Sequence, residues 1–431
     1  MIHFVDLFAG IGGMRLGLEA ACQELGLNYN CVLSSEIDSK ACTTYYLNFG
    51  ETPQGDIRKI ENVSQFNFLL AGFPCQPFSY AGKQKGFGDT RGTLFFEVER
   101  FLEQYQPTGF LLENVRGLIS HDKGKTLKTI IHALEKLGYG VSYLLLNSSN
   151  FDVPQNRVRI YILGLKGKKP QLSLHSDKGA VDSHSFKKGA IQGNLFNNVF
   201  QIKTVKDILE TDVSYEYFCS EEFTKMLERA VNGDFQNLHG VRLIDFRGGN
   251  SIHSWDLGIK GECSEAERRF MNLLVSNRRK KIFGTHQDGK NLTLEQIKTF
   301  YLSSDIEEVI NKLLSKGYLK EENSKYSPVC GNMSFEVFKF LDPESISITL
   351  TSADAHRLGV VTNNKPRRIT PRECARLQGF SDWYQLHPDK SAAYKQLGNS
   401  VTVPVVKAVI LDYFKNNLSY FLKSEKVLLS S

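Results

Sequence analysis

The feature that most restricts what this chain can fold into is the rhythm of its first 165 residues. Short apolar runs recur there: His3–Ala9, Cys31–Ser35, Phe68–Ala71, Gly109–Glu113, Ser142–Leu146 and Ile160–Leu165. Helical patterns over Met14–Leu25, Thr93–Gln104 and Thr126–Leu137 fall between several of them. Runs this short and apolar read as strands, and the helices between them supply the crossovers of a mostly parallel sheet covered on both faces, an α/β fold. Ligands of such sheets sit at the carboxyl ends of the strands, so chemistry is expected in the loops that leave those ends.

The rest of the chain has a different texture. Lys166–Asn198 is rich in Lys, Gly, Ser, His and Asn, with little periodicity, and reads as an exposed connection between domains. Gly240–Lys260 reads as β-rich around Gly248–Gly249. Three capping-box spacings follow, Ser264 to Glu267, Thr293 to Gln296 and Asp305 to Glu308. The last helix carries Ile306, Val309, Ile310, Leu313 and Leu314 on one stripe and stops at Gly317. Tyr318–Lys320 and Tyr326–Val329 then read as a small hairpin, which gives 264–330 the order of a winged-helix unit. That shape serves DNA and protein contacts about equally.

Composition narrows the class. A chain of 431 residues, 41% hydrophobic and 23% charged, makes two or three globular domains rather than a disordered polymer. No apolar run approaches the ~18 residues of a membrane span, and MIHFVDLFAG lacks the charged leader of a signal peptide. The eight cysteines stand at least nine residues apart, without the close pairs of a zinc cluster or a disulfide scaffold. That usage fits a reducing cytoplasm and no metal. The net charge of +6 divides into −1 over residues 1–165 and +7 over the remainder. The later part of the chain therefore suits a polyanionic partner, or simply carries lysines for solubility.

Several loops carry the chemistry. Asp6–Gly13 (DLFAGIGG) joins the first strand to the first helix, and Gly10 and Gly12 let the backbone turn tightly against a ligand. A glycine turn after a strand commonly holds a nucleotide-type cofactor, and Glu36 at the end of the next strand can accept hydrogen bonds from a ribose diol. This turn alone does not separate a dinucleotide from S-adenosylmethionine. Gly72–Ser79 (GFPCQPFS) follows the third apolar run, with Cys75 held between Pro74 and Pro77. A rigid, partly exposed thiol is what a thiolate nucleophile requires. The loop Tyr80–Arg91, glycine-bearing and basic, can close over a phosphate-bearing substrate. Glu113 leaves its strand on the same rim, where apolar surroundings raise a carboxyl pKa and let it donate near neutrality. In Gln155–Arg159, alternation puts Arg157 and Arg159 on one face beside a core strand, to pair with carboxylates or hold a substrate oxygen.

In order along the chain, DLFAGIGG, GFPCQPFS, ENV at Glu113–Val115, QNRVR at Gln155–Arg159, RRITPRECARLQGF from Arg367 and YKQLGNSV from Tyr394 resemble the DNA cytosine-5 methyltransferase family of bacterial restriction–modification systems. Gly55–Ile57 and Gly92–Phe96 match as well, and the motifs cover Ile2–Leu165 and Lys365–Val406. The resemblance implies a doubly wound, Rossmann-like methyltransferase domain over 1–185 and 397–431. It implies a smaller, mixed target-recognition domain over 186–370, containing the winged-helix-like insert, and a hinge over 371–396. The cofactor it implies is S-adenosylmethionine. Phe8, Gly10, Ile11 and Gly12 would lie at its methionine end, Glu36 at the ribose, and Ile37, Asp56 and Ile57 at the adenine. Phe73, Leu94, Asn399, Ser400 and Val401 complete that set. Ile37 departs from the tryptophan that many members place against the adenine, which suggests weaker stacking. Gln76, Ser79, Arg91 and Thr349 fall on the DNA side, Thr349-Leu350 resembling a dipeptide found near the flipped base.

The implied reaction needs Cys75 to attack C6 of cytosine, Glu113 to support N3, and Arg159, with Arg157, to hold O2. The expected partner is double-stranded DNA, with a cognate restriction endonuclease acting separately, in a bacterial cytoplasm, without a membrane and as a monomer. Methylation of tRNA and a catalytically inactive DNA-binding relative stand as alternatives. A zinc deaminase is rejected, because its P-C-x-x-C and H-x-E signatures are missing.

Overall fold

The computed structural model describes residues 1–74, 94–177, 203–285, 289–330 and 335–428. Cys75, Gln76, Ser79 and Arg91, with the loop Tyr80–Arg91, lie outside the described residues, as does 178–198 of the expected connection. The chain forms two compact units: Met1–Ile208 with Ile346–Ala355 and Pro371–Ser431, and Leu209–Ser345 with His356–Thr370. Residues 371–396, expected as a hinge, therefore fold within the first unit, and 346–355 leaves the expected 186–370 domain to join it.

In the first unit, β1 (Ile2–Leu7), β2 (Tyr29–Ser35), β3 (Phe68–Ala71), β4 (Gly109–Val115), β5 (Tyr139–Asn147) and β6 (Val158–Lys166) make one sheet. Its order is β2-β1-β3-β4-β6-β5. Leu69 of β3 pairs in parallel with Val5 on one side and Phe110 on the other, and all of β3 is buried, which is why it is apolar throughout. β6 departs from the expected parallel pattern by running antiparallel to both β4 and β5. The link from Asn147 to Val158 is too short for a helical crossover, so the chain must turn back. Because β2 and β3 flank β1 on opposite sides, the loops after β1 and β3 part at their carboxyl ends and open a crevice.

Helices α1 (Gly13–Glu24), α2 (Ser39–Phe49), α3 (Leu94–Tyr105) and α4 (Lys125–Lys136) connect these strands. On one face α3 and α4 bury Phe95, Val98, Phe101, Leu102, Leu127, Ile130 and Leu134 at helical spacing. α2 has no counterpart in the sequence reading, since its Thr-Thr-Tyr-Tyr centre has strand-like composition. Its ends make it a helix: Asp38 accepts from the Lys40 and Ala41 N–H groups, and Gly50 closes it at φ 70°. The start of the Lys166–Asn198 segment is largely exposed, as expected, but it is tied to the first unit. Leu172 and Leu174 pack into the core, the Gln171 and Ser173 N–H groups donate to Asn417 and Asp412, and Asp177 accepts from the Asn147 N–H. Side chains satisfy its backbone, so no periodicity betrays it.

The second unit begins with α5 (Glu221–Ala230), capped by Ser220. Gly240–Lys260, expected to be β-rich, holds only the two-residue strands β7 (Arg242–Leu243) and β8 (Ser251–Ile252) and the short α6 (Ser254–Leu257). A capping box from His253 to Asp256 starts that helix where a strand was expected. Then come α7 (Glu265–Asn277), β9 (Leu292–Thr293), α8 (Leu294–Lys298), α9 (Ile306–Ser315), β10 (Leu319–Glu322) and β11 (Lys325–Pro328). The Ser264 and Thr293 capping boxes form as spaced. The third does not: Asp305 makes no side-chain cap, its Oδ1 accepting from the Tyr301 hydroxyl at 3.4 Å, while Glu308 pairs with Lys312. β10 and β11 are joined at Asn323 and Ser324, both at positive φ, and β9 pairs with β11. A separate sheet, β14-β13-β12-β7-β8, adds β12 (Lys339–Phe340), β13 (Leu358–Thr362) and β14 (Lys365–Arg368).

The chain re-enters the first unit with α10 (Pro371–Leu377), α11 (Lys390–Asn399) and α12 (Val403–Leu428). α12 covers the second face of the sheet, packing Val406, Val409, Ile410, Phe414 and Phe421 against Leu18, Ala21 and Phe68. Tyr413 donates to the Gly164 carbonyl at 2.8 Å. Lys390–Leu422 is long and apolar enough to cross a bilayer by length and composition, but 61% of that window is buried inside the protein, as befits a core helix.

Candidate active site

The glycine turn is shaped by what packs on it. Phe8, Gly10 and Gly12 all take left-handed backbone angles, φ 56°, 55° and 80°. A Cβ at Gly12 would stand 2.3 Å from Cε2 of Phe49 in α2, so no other residue fits. A Cβ at Gly13 would stand 2.8 Å from Ser400 Oγ and 2.9 Å from Val401 Cγ2. The segment after α11 thus closes on the turn across nearly the whole length of the sequence, while Asn399 beside it is exposed. The buried Ile11 accepts from the Tyr384 hydroxyl at its carbonyl.

Glu36 locks the turn from the side of β2. Its Oε2 accepts from the Gly10 N–H at 2.9 Å, and its Oε1 from the Ile37 and Asp38 N–H groups at 2.8 Å each. The Glu36 N–H in turn donates to the Gln54 carbonyl, which draws the Asp56–Ile57 segment alongside. Asp56 caps the turn Ile57–Lys59, and Arg58 holds its carboxyl below the usual range. Ile57 is buried in the core, whereas Ile37 is 75% exposed. Phe73 packs against Phe95, and Leu94 is half-buried at the start of α3.

Sequence reasoning passed over Asp6. It is 1% exposed, neither carboxylate oxygen has a hydrogen-bond partner among the described residues, and burial pushes its pKa up to about 7. Arg15 opposes that shift, and Glu19, Glu36 and Glu51 add to it. A signal was present: an acid inside the apolar run Phe4–Phe8, at the end of a buried parallel strand.

The reactive rim lies where β3 and β4 end. Glu113 Oε1 stands 3.2 Å from Arg159 Nε, both side chains mostly buried. Tyr161 lies opposite Glu113 in the β4–β6 ladder, so Arg159 reaches it diagonally on the same face. Burial raises the Glu113 pKa, and Arg159 and Arg157 pull it back. Asn114 donates to the Phe73 carbonyl at 2.9 Å, tying the end of β4 to the stretch that runs into Pro74. A Cβ at Gly72 would stand 3.8 Å from Glu113 Oε2, so that stretch passes directly by the carboxylate.

The two arginines divide their work. Arg159 lines a cavity of about 430 Å³ together with Val115, Gly117, Asn156 and Thr349. The Thr349 hydroxyl donates to the Asn156 carbonyl at 2.6 Å. Arg157 is 3% exposed and gives Nη1 to the Leu350 carbonyl at 2.8 Å and Nη2 to the Ser400 carbonyl at 2.6 Å. Burial draws its pKa down to about 9. It staples three distant segments rather than facing the cavity. Gln155 reinforces it, accepting from the Leu350 N–H and donating to the Leu377 carbonyl.

Polar groups gathered at the carboxyl ends of β1 and β4, with Arg159 from the start of β6, mark an α/β enzyme. A family model for C-5 cytosine-specific DNA methylase matches residues 2–415. Type II methyltransferase M.BanI of Aneurinibacillus aneurinilyticus is 67% identical over 97% of this chain and 97% of its own. M.HgiCI of Herpetosiphon aurantiacus is 63% identical over 96% and 98%. The crystal structure of S. pombe Dnmt2 methyltransferase shares the fold with a TM-score of 0.52 at 16% identity, covering 96% of this chain and 99% of that one. The Entamoeba histolytica methyltransferase EhMeth does so at 0.51 and 17%, covering 96% and 98%. This chain belongs to the C-5 cytosine-specific DNA methylase family and is a DNA (cytosine-5-)-methyltransferase.

Proposed function

We propose that the chain methylates C5 of a cytosine flipped out of a specific duplex DNA sequence, through a covalent bond between Cys75 and C6, with S-adenosylmethionine as donor. The observation that carries this reading is the buried Glu113–Arg159 pair on the cavity rim, beside the strand exit that runs into Cys75.

The residues present suit the cofactor. A glycine turn with free backbone space at Gly10 and an unpartnered buried carboxylate at Asp6 fit the cationic methionine end. Glu36, Asp56 and Ile57 would hold the ribose and adenine, with Ser400 and Val401 closing the turn. Bound there, the cofactor supplies a sulfonium-activated methyl group.

The chain's own groups prepare the base. Cytosine C5 is a poor nucleophile until the Cys75 thiolate bonds to C6 and pushes electron density toward C5 and N3. Glu113, whose burial favours the protonated form, donates to N3, while Arg159 shifts from Glu113 to O2. C5 then accepts the methyl group; transfer of the C5 proton to solvent restores the ring double bond and expels the thiolate, while N3 returns its proton to Glu113. Arg157 keeps Leu350 and Ser400 in register. Flipping the base costs a few kcal/mol, met by contacts from Gln76, Ser79, Arg91 and Thr349. The second unit, with its winged-helix-like order of helices and hairpin, would read the sequence, and the enzyme would protect host DNA in the bacterial cytoplasm from a separate cognate endonuclease.

Expression in a methylation-free bacterial host, followed by bisulfite sequencing of the plasmid, tests this. Cytosines protected at one recurring sequence, lost with Cys75→Ala although cofactor still binds, are expected. Turnover retained by Cys75→Ala would sink the covalent step.

A further inference from the structure

We propose that the turn after α7, carrying Arg279, Lys280 and Lys281 with Lys290 beside them, is a clamp for the phosphate backbone of duplex DNA. The proposal rests on the reading of this chain as a duplex-DNA enzyme and assigns a contact within 261–330, a stretch that carries none of the family motifs.

The turn displays uncompensated charge. Arg279 is half-buried and Lys280 and Lys281 are exposed, and none of the three side chains has an ion-pair or hydrogen-bond partner among the described residues. Lys290 is drawn to the same place, its ammonium donating to the Lys280 carbonyl at 2.6 Å and its N–H to the Arg278 carbonyl at 3.3 Å. The bland explanation is that cations gather past a helix C-terminus to meet its carbonyls. Here the Arg278 backbone N–H closes α7 on the Leu274 carbonyl, and none of the next three side chains meets a helix carbonyl among the described residues.

The turn is also held in shape. Arg278 is 7% exposed, and its guanidinium lies directly under Gly289, where a Cβ would stand 2.6 Å from Nε. Gly289 sits at φ 92°, so the crossing is built for glycine. Cations on a fixed turn lose little freedom on meeting phosphates.

The neighbouring surfaces separate DNA from other partners. A helix-and-wing docking on DNA would present α9 and the β10–β11 hairpin. That surface exposes Glu307, Glu308, Glu321 and Glu322; its Lys312, Lys316 and Lys320 are each held by a carboxylate, and Lys325 is its one unpaired cation among the described residues. The acids outweigh that single lysine, which disfavours phosphates there. The basic turn instead adjoins the exposed loop Phe246–Asn250: a Cβ at Gly248 would stand 3.1 Å from Ser276 Oγ in the last turn of α7, and Arg247 lies over Phe246.

The test compares salt-dependent binding of a duplex oligonucleotide bearing the methylated sequence by the full-length protein and two variants. Each phosphate contact contributes roughly 0.9 to the slope of log affinity against log salt. Arg279→Gln/Lys280→Gln/Lys281→Gln should flatten that slope by about 2–3 and raise KM for DNA. Its kcat at saturating DNA and its S-adenosylmethionine affinity should be unchanged. Glu307→Gln/Glu308→Gln/Glu321→Gln/Glu322→Gln should leave the slope as in the wild type. An unchanged slope in the basic-turn variant, or tighter binding by the glutamate variant, overturns the clamp. A wild-type protein that binds no duplex, or prefers tRNA, overturns the DNA reading and the clamp with it.

Discussion

Among the described residues, Asp6 is the one carboxylate with both oxygens buried and unpartnered. Its carboxyl is raised from the ordinary 3.8 to about 7 by burial, so the folded state takes up a proton that the unfolded state releases. The contribution of Asp6 to stability without cofactor is therefore fully present below about pH 4, falls as pH rises toward 7, and is lost beyond it. Asp6→Asn should remove that dependence: chemical denaturation at pH 5 and pH 8 will show the wild type losing stability relative to the variant as pH rises. Calorimetry on the same variant should show S-adenosylmethionine binding weakened roughly 10- to 100-fold, the worth of a charged hydrogen bond. Unaltered affinity would remove Asp6 from the cofactor site. Glu113 and Arg159 were legible in the sequence because each interrupts an apolar strand at its end. Arg157 was not separable from Arg159, since alternation assigns a face and not a partner; in the structure Arg157 lies just before β6 begins. Asp6 escaped because a strand pattern counts apolar positions and treats a single acid as noise.

At the scale of elements, the glycine turn and α2 form one mechanical piece. Gly12→Ala brings a left-handed φ penalty of about 1–2 kcal/mol and a clash with Phe49 that costs about 1–3 kcal/mol more. The thermal midpoint should drop by several degrees and cofactor affinity should fall with it. An unchanged midpoint would mean that α2 shifts freely, contrary to the packing of Tyr45 and Phe49 on the turn. β3 was legible to the residue, because a strand buried on both faces leaves an unbroken apolar run. α2 was hidden, since its cap residues define it and its interior argues against it. The third capping box failed for a related reason: spacing gives the opportunity for a hydrogen bond, and Tyr301 and Lys312 took the side chains first.

For the molecule as a whole, the division into units was only partly visible. Residues 346–355 are flanked on both sides by the second unit, yet hydrogen bonds from Gln155 and Arg157 draw Leu350 into the first. No composition marks such a return, and the Thr349-Leu350 resemblance assigned the pair to the target-recognition domain instead. For α12 the family resemblance did assign 397–431 to the first domain, but composition alone does not show that its valines and phenylalanines complete a sheet laid down at the other end of the chain. A protein stopped after Thr402 should leave that face of the sheet bare, giving insoluble material or a dye-binding state with helical circular dichroism but no cooperative melt. A soluble, sharply melting truncation would show α12 to be dispensable. The late arrival of α12 also has a consequence in time. On the ribosome the six strands are complete by Lys166, yet roughly ten to fifty seconds of elongation pass before the helix that shields them emerges. Throughout that interval the nascent sheet is sticky on one side, so newborn chains depend on chaperones, and active enzyme lags behind its own translation.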